Sequence, residues 1–196
     1  MLIWVNGPFG VGKTQTAYEL HRRLPPSFVC DPEQLGFGIQ RMTPPELRGD
    51  FQDVPLWREG VYQLLDHTLT HADRVVIVPM TLVVPAYFAE IVGRLRENGH
   101  TVHHVALLAS RDTLRRRQRS RGEGTGSWGA GQIDRCLAGL SQLPVADHLP
   151  TDGLGLEEVV EQIARRTGLD LLPDHAHPLT RPLRRWAVQL RNLRRD

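Results

Sequence analysis

Lysine is nearly missing from this sequence. One of its 24 basic side chains, Lys13, is a lysine, and the others are arginine. A guanine-reading Asn-Lys-x-Asp motif is therefore impossible, because Lys13 lies in Gly-Lys-Thr. Cysteine is scarce too. Cys30 and Cys136 stand far apart, with no metal-ligand spacing and no disulfide framework, as expected of free thiols in a reducing cytoplasm. The longest apolar run, "VVIVPMTLVVP" from Val75 to Pro85, falls well short of the ~20 residues that span a bilayer. No signal peptide is expected ahead of a first strand that starts at Leu2. The Leu-Ser-Gly-Gly-Gln signature of transport ATPases is absent, and the chain is too short for a motor or helicase. Net charge is also small, +2, so bulk polyanion binding is not implied and no nucleic-acid partner is expected. The positive charge is concentrated in two places, Ser110 to Glu123 and Arg181 to Asp196, with six arginines each.

What is present alternates. Short apolar runs ("MLIWVNG", "SFVCD", "RVVIVPM", "HTVHHVALLA", "ADHLPTD") are separated by segments of helical spacing ("KTQTAYELHRRL", 55–69, "PAYFAEIVGRLRENG", "RDTLRRRQRSR", "SWGAGQIDRCLAGLSQL", "LEEVVEQIARRTG"). That order predicts an α/β fold in which a parallel sheet is covered on both faces.

Gly7, four residues, then Gly12-Lys13-Thr14 fits the phosphate-binding loop pattern G-x-x-x-x-G-K-[ST], with a buried strand before it and an amphipathic helix after it. Residues Gly7, Pro8, Phe9, Gly10, Val11, Gly12, Lys13, Thr14 and Gln15 are the candidate ATP cradle. Glycines let backbone N–H groups turn inward toward phosphate, and the following helix adds its positive end. Lys13 brings a compact charge that a forked guanidinium cannot replace, which accounts for the single lysine. Thr14 offers a hydroxyl to Mg²⁺. A carboxylate after the second strand, an insert before the third and an arginine-rich segment after the fourth complete the layout of a small kinase.

"GPFGVGKTQTAYELHRRL", "VCDPEQLGF", "DFQDVPLWR", "VIVPMTLVVPAYF", "HHVALLAS", "SWGAGQIDRC" and "ADHLPTD" together resemble the tunicamycin resistance protein family, over nearly the whole chain. The resemblance implies a three-layer phosphate-loop kinase fold with a five-stranded parallel sheet in the order 2-3-1-4-5. It also implies ATP binding and resistance to tunicamycin, a nucleoside antibiotic with a fatty acyl chain, and association with the membrane surface. Three readings follow: a phosphotransferase acting on a nucleoside-type antibiotic, an ATP-dependent protein that sequesters the drug without chemistry, or a metabolic nucleoside or nucleotide kinase.

The remaining candidates are distributed along the chain. Asp31, closing the second strand, can take the acceptor hydroxyl's proton or steady Mg²⁺, although an Asp before Pro32 also suits a turn. The third strand ends in Pro79 and Met80, without the usual carboxylate. Arg117 and Arg121 share a helix face; in similar kinases such a pair belongs to a lid that stacks on adenine and touches phosphate. Arg119 and Arg135 are further candidates for the phosphates or acceptor, although Arg135 can also pair with Asp134. Thr151 and Asp152 lie in the "PTDG" loop that runs beside adenine in similar kinases. Phe37, Phe51 and Trp57 are candidates for an apolar acceptor wall, or else local core; Gln52, Asp53 and Arg58 can fix polar groups. His103 and His104 should face opposite sides of a strand and serve packing. The expected organisation is a domain over 1–172 (acceptor insert 32–71, lid 111–135), a linker at 173–180 and a basic amphipathic helix at 181–196. That helix can pack on its own domain or a second subunit, or rest on anionic lipid. The oligomeric state is left open, and the location is cytoplasmic or peripheral to the membrane.

Overall fold

The computed structural model describes residues 1–120, 122, 128–144 and 147–174. The expected helix at 181–196, Arg121 and most of the glycine-rich break lie outside the described residues. Five strands, β1 (Leu2–Asn6), β2 (Ser27–Val29), β3 (Val75–Pro79), β4 (Val102–Leu108) and β5 (His148–Pro150), form one all-parallel sheet in the order β2-β3-β1-β4-β5. This is the order that the family resemblance implied.

β1 runs through the middle and is buried at every position. Its alternation divides the core in two. Ile3 and Val5 pack with Ala17 and Leu20 of α1 (Lys13–Arg23) and with Val160 and Ile163 of α9 (Leu156–Thr167). Leu2 and Trp4 face the other way, onto Trp57, Val61 and Leu65 of α3 (Pro55–His71) and onto Ile91 and Leu95. A central parallel strand covered on both faces has no solvent side, so it reads as an unbroken apolar run.

The helix expected after β3 forms in three pieces: α4 (Pro85–Phe88), a π-helical turn (Ala89–Gly93) and α5 (Arg94–Glu97). The mixed stretch after β2 contains α2 (Glu33–Met42) and two 3₁₀ turns, Pro45–Leu47 and Phe51–Asp53. α6 (Arg111–Arg119) starts at Ser110, whose hydroxyl accepts from the Thr113 N–H. The helical stretch after the glycine-rich break is two helices, α7 (Trp128–Gly131) and α8 (Ile133–Leu140). All five strands run parallel, so their C-terminal ends gather the loops after β1, β2, β3, β4 and β5 at one edge, where ligands of open α/β sheets bind.

Candidate functional site: a buttressed phosphate loop and its neighbours

The loop between β1 and α1 adopts the conformation its glycines permit. Gly7, Gly10 and Gly12 have φ of 144°, 86° and 111°, values that side chains with a Cβ rarely adopt. A Cβ on Gly7 would stand 2.6 Å from the Leu107 carbonyl oxygen, so packing alone requires glycine there. A Cβ on Gly12 would meet nothing within 4 Å, because Gly12 borders the open mouth of the loop. Lys13 is buried, and its Nζ donates to the carbonyls of Gly7 (3.0 Å) and Pro8 (3.2 Å), 5.2 Å over the Phe9 ring. Thr14 and Gln15 follow in the first turn of α1, where backbone N–H groups have no intrahelical partner.

The loop is held from behind by contacts that span the sheet. The Asn6 side chain uses all four of its hydrogen-bonding positions. Oδ1 accepts from Gly7 N–H (2.8 Å) and Leu82 N–H (2.9 Å); Nδ2 donates to Leu82 O (2.7 Å) and meets His104 Nε2 (3.1 Å). His104 Nδ1 in turn lies 2.8 Å from Asp147 Oδ2. Thr81 donates its hydroxyl to the Gly7 carbonyl (2.9 Å), and the buried Gln52 donates to Thr81 O (2.9 Å). Where a carboxylate usually follows the third strand, this chain has Met80 and Thr81, and Thr81 is committed to the loop itself. None of Asn6, Thr81 or Asp147 stood out in the sequence. Asn6 immediately precedes Gly7, which was the one local signal.

On the nucleotide side, Arg117 joins α6 to two loops at once. It donates to Val11 O (3.1 Å), to Thr151 Oγ1 (3.1 Å) and to Thr151 O (2.9 Å). Asp152 accepts from Ser110 N–H and Ser110 Oγ, both at 2.8 Å, and hydrogen bonds from Thr113 and Ser110 hold its carboxyl below the usual range. The structure thus brings Arg117, Thr151 and Asp152 to the phosphate loop's flank. It does not bring Arg119 there: that side chain is exposed and bonds Arg115 O of its own helix (3.3 Å). Over Gly10 sits Gln118, 2% exposed, and its Nε2 is the one buried side-chain nitrogen or oxygen among the described residues without a hydrogen-bond partner. No sequence signal marks it.

After β2, Asp31 accepts from Glu33 N–H (3.0 Å), the turn-capping geometry expected before Pro32. It lines an open groove of about 550 Å³ with Tyr18, Phe28, Cys30, Gln34 and Leu64. Burial, assisted by Asp31, pushes the Cys30 thiol up to about 11. Phe37 meets Phe51 edge-on (6.2 Å), and Phe51 lies 5.3 Å from Trp57.

Three expected acceptor contacts are corrected. Trp57 is fully buried, with its indole N–H on Pro32 O (3.0 Å), and belongs to the core. Gln52 is buried on Thr81. Arg58 donates to Glu90 (2.6 Å) and Gln52 O (2.5 Å) and lies 4.2 Å over Tyr87, a tie between α3 and the next helix. Asp53 accepts from Tyr87 OH (2.8 Å), which raises the phenol's pKa. Arg135 pairs with Asp50 (3.2 Å), while Asp134 pairs with Arg111 (2.6 Å).

No group of three or more His, Cys, Asp or Glu that could hold a metal ion gathers among the described residues. A magnesium ion that keeps its waters and binds mainly phosphate needs few protein oxygens, and Thr14 at the loop's end fits that demand. No helix among the described residues is long and apolar enough to cross a membrane.

The profile of the AAA domain family matches residues 2–143. The tunicamycin resistance protein of Deinococcus radiodurans superposes with a TM-score of 0.74 at 37% identity, over 88% of this chain and 98% of that one. This chain belongs to the tunicamycin resistance protein family. Two more distant structures share the fold of the family: a sugar kinase from Janibacter sp. HTCC2649 (TM-score 0.63, 16% identity, 86% and 94% covered) and shikimate kinase from Bacteroides thetaiotaomicron (0.54, 17%, 86% and 99%). No curated protein matches the chain. As in other phosphate-loop kinase-like folds, the loop implies nucleotide binding.

Proposed function

We propose that the chain is an ATP- and Mg²⁺-dependent phosphotransferase whose acceptor is a hydroxyl of a nucleoside-type antibiotic, tunicamycin or a close analogue. The observation that carries this reading is the intact phosphate loop in a chain 37% identical to a tunicamycin resistance protein. Lys13 and the loop N–H groups hold the β- and γ-phosphates. Arg117, fixed between Val11 and Thr151, presents its charge beside the same loop. Magnesium, when bound with the nucleotide at Thr14, neutralises phosphate charge. Asp31 orients the acceptor hydroxyl and takes its proton. The hydroxyl oxygen forms a bond to the γ-phosphorus as the bond from that phosphorus to the ADP oxygen breaks.

A second reading, sequestration of the drug without chemistry, is favoured by one observation: Met80 and Thr81 occupy the usual carboxylate position, and Thr81 is spent on Gly7. Incubation with ATP, Mg²⁺ and tunicamycin followed by mass spectrometry of the drug separates the two. A gain of one phosphate supports transfer; tight binding at unchanged mass rejects it in favour of sequestration. Asp31→Asn is expected to abolish turnover and spare ATP binding, and surviving turnover would remove Asp31 as the base.

A further inference from the structure

Asn6, His104 and Asp147 come from β1, β4 and the approach to β5, and they meet in one row, buried at Asn6 and His104 and partly exposed at Asp147, that ends on the phosphate loop. The row allows only one arrangement of hydrogens. Leu82 offers both its N–H and its carbonyl to Asn6, so Oδ1 must face the N–H and Nδ2 the carbonyl. Gly7 N–H takes the second lone pair of Oδ1. The remaining Nδ2 hydrogen then points at His104 Nε2, which must accept it. The single proton of the imidazole is therefore on Nδ1, donated to Asp147.

A second proton on His104 has no place in this row. An Nε2–H would face an Nδ2–H at 3.1 Å. Rotating the Asn6 amide to relieve that clash would set its NH₂ against the N–H groups of Gly7 and Leu82, and its oxygen against Leu82 O. Either way the Asn6 contact behind Gly7 is strained or broken, leaving the Thr81 hydroxyl on the Gly7 carbonyl, and Gly7 is the first residue of the cradle.

We infer that Asp147, His104 and Asn6 are positioning residues that hold the phosphate loop in its binding form only while His104 is neutral, so that nucleotide affinity falls on acidification. The inference rests on the nucleotide-binding reading above. The groups that face His104 act in both directions. Its own burial and, more weakly, Arg96 of α5 and His148 of β5 disfavour the charged ring, Asp147 favours it, and the Phe88 ring stands edge-on at 4.8 Å. The outcome is a pKa below the ordinary histidine value, with burial the largest cause. Because neutral His104 is the binding form, affinity is complete above that lowered pKa and declines as pH falls through it.

The test is calorimetric titration of the full-length chain with Mg²⁺ and ADP from pH 7.5 downward, over the range in which circular dichroism shows each protein folded. Wild type is compared with His104→Gln, whose amide oxygen accepts from Asn6 but does not titrate, and with Asp147→Asn. The β-phosphate titrates in this range as well, so each affinity is divided by that protein's value at pH 7.5, and His104→Gln supplies the baseline. Wild type is expected to fall below that baseline by up to about tenfold per pH unit, the limit for one coupled proton. Asp147→Asn, which removes the carboxylate that favours imidazolium, is expected to move the fall to lower pH. Parallel curves for wild type and His104→Gln, or a shift of Asp147→Asn to higher pH, would overturn the inference while leaving nucleotide binding intact. Absence of binding by wild type at pH 7.5 would overturn both. Should His104→Gln fail to fold, Asp147→Asn decides alone, since that carboxylate is partly exposed.

Discussion

The two sides of the site are held by different forces. Behind the phosphate loop the contacts are almost all neutral and buried: Asn6 to Leu82 and Gly7, Thr81 to Gly7, Gln52 to Thr81. Around the acceptor insert they are charged and nearer to water: Arg58 with Glu90, Arg94 with Glu59, Arg135 with Asp50. Buried neutral bonds are expensive to leave unmade and indifferent to salt. Exposed ion pairs contribute little and are screened. The chain thus fixes the phosphate loop in one shape and ties the insert together with parts that shift at small cost.

That contrast can be broken experimentally. The largest effect is expected from Asn6→Ala, which strands the N–H groups of Gly7 and Leu82 and the Leu82 carbonyl. At roughly 1–3 kcal/mol for each buried orphan, a loss of about 3 kcal/mol or more is expected, visible as a fall in Tm that 1 M NaCl does not alter. An unchanged Tm would mean that the row behind the loop bears no stability. Lys13→Ala comes next. Hydrogen bonds to charged groups are worth about 1.5–3 kcal/mol, so ATP affinity measured by calorimetry is expected to fall roughly ten- to a hundredfold. Undiminished affinity would move the nucleotide elsewhere. The smallest effect is expected from Arg135→Ala, less than about 1 kcal/mol in thermal unfolding, with high salt reproducing it in the wild type. A loss as large as that of Asn6→Ala would erase the distinction between the two sides.

The same division explains what the sequence disclosed. The phosphate loop was legible because its requirements are local: glycines at positive φ, one lysine and the helix that starts there lie within eight residues. The alternating elements were legible for the same reason, since period and turn chemistry are local properties. The strand order was available only through family resemblance, because nothing in residue spacing says that β3 lies between β2 and β1. The supports of the loop were not legible. Asn6 reaches Leu82 across 76 positions, and His104 reaches Asp147 across 43. In the sequence Trp57 is open between acceptor wall and core, and Gln52 is a candidate for fixing polar groups, because aromatic and amide side chains serve binding walls and cores equally well. Their burial is decided by how the insert folds over Thr81 and Pro32.

The position of the Lys13 ammonium has a consequence for ligand choice. It rests on two carbonyls of its own loop rather than in water. An arriving anion must therefore displace main-chain oxygens, and its reward is only the difference between the old partners and the new ones. A stray chloride or bicarbonate makes too few compensating bonds to win that exchange, whereas a chain of linked phosphates makes many at once. Because main-chain oxygens already partner the Lys13 ammonium, the site favours a ligand that offers it many oxygens at once over one that offers few.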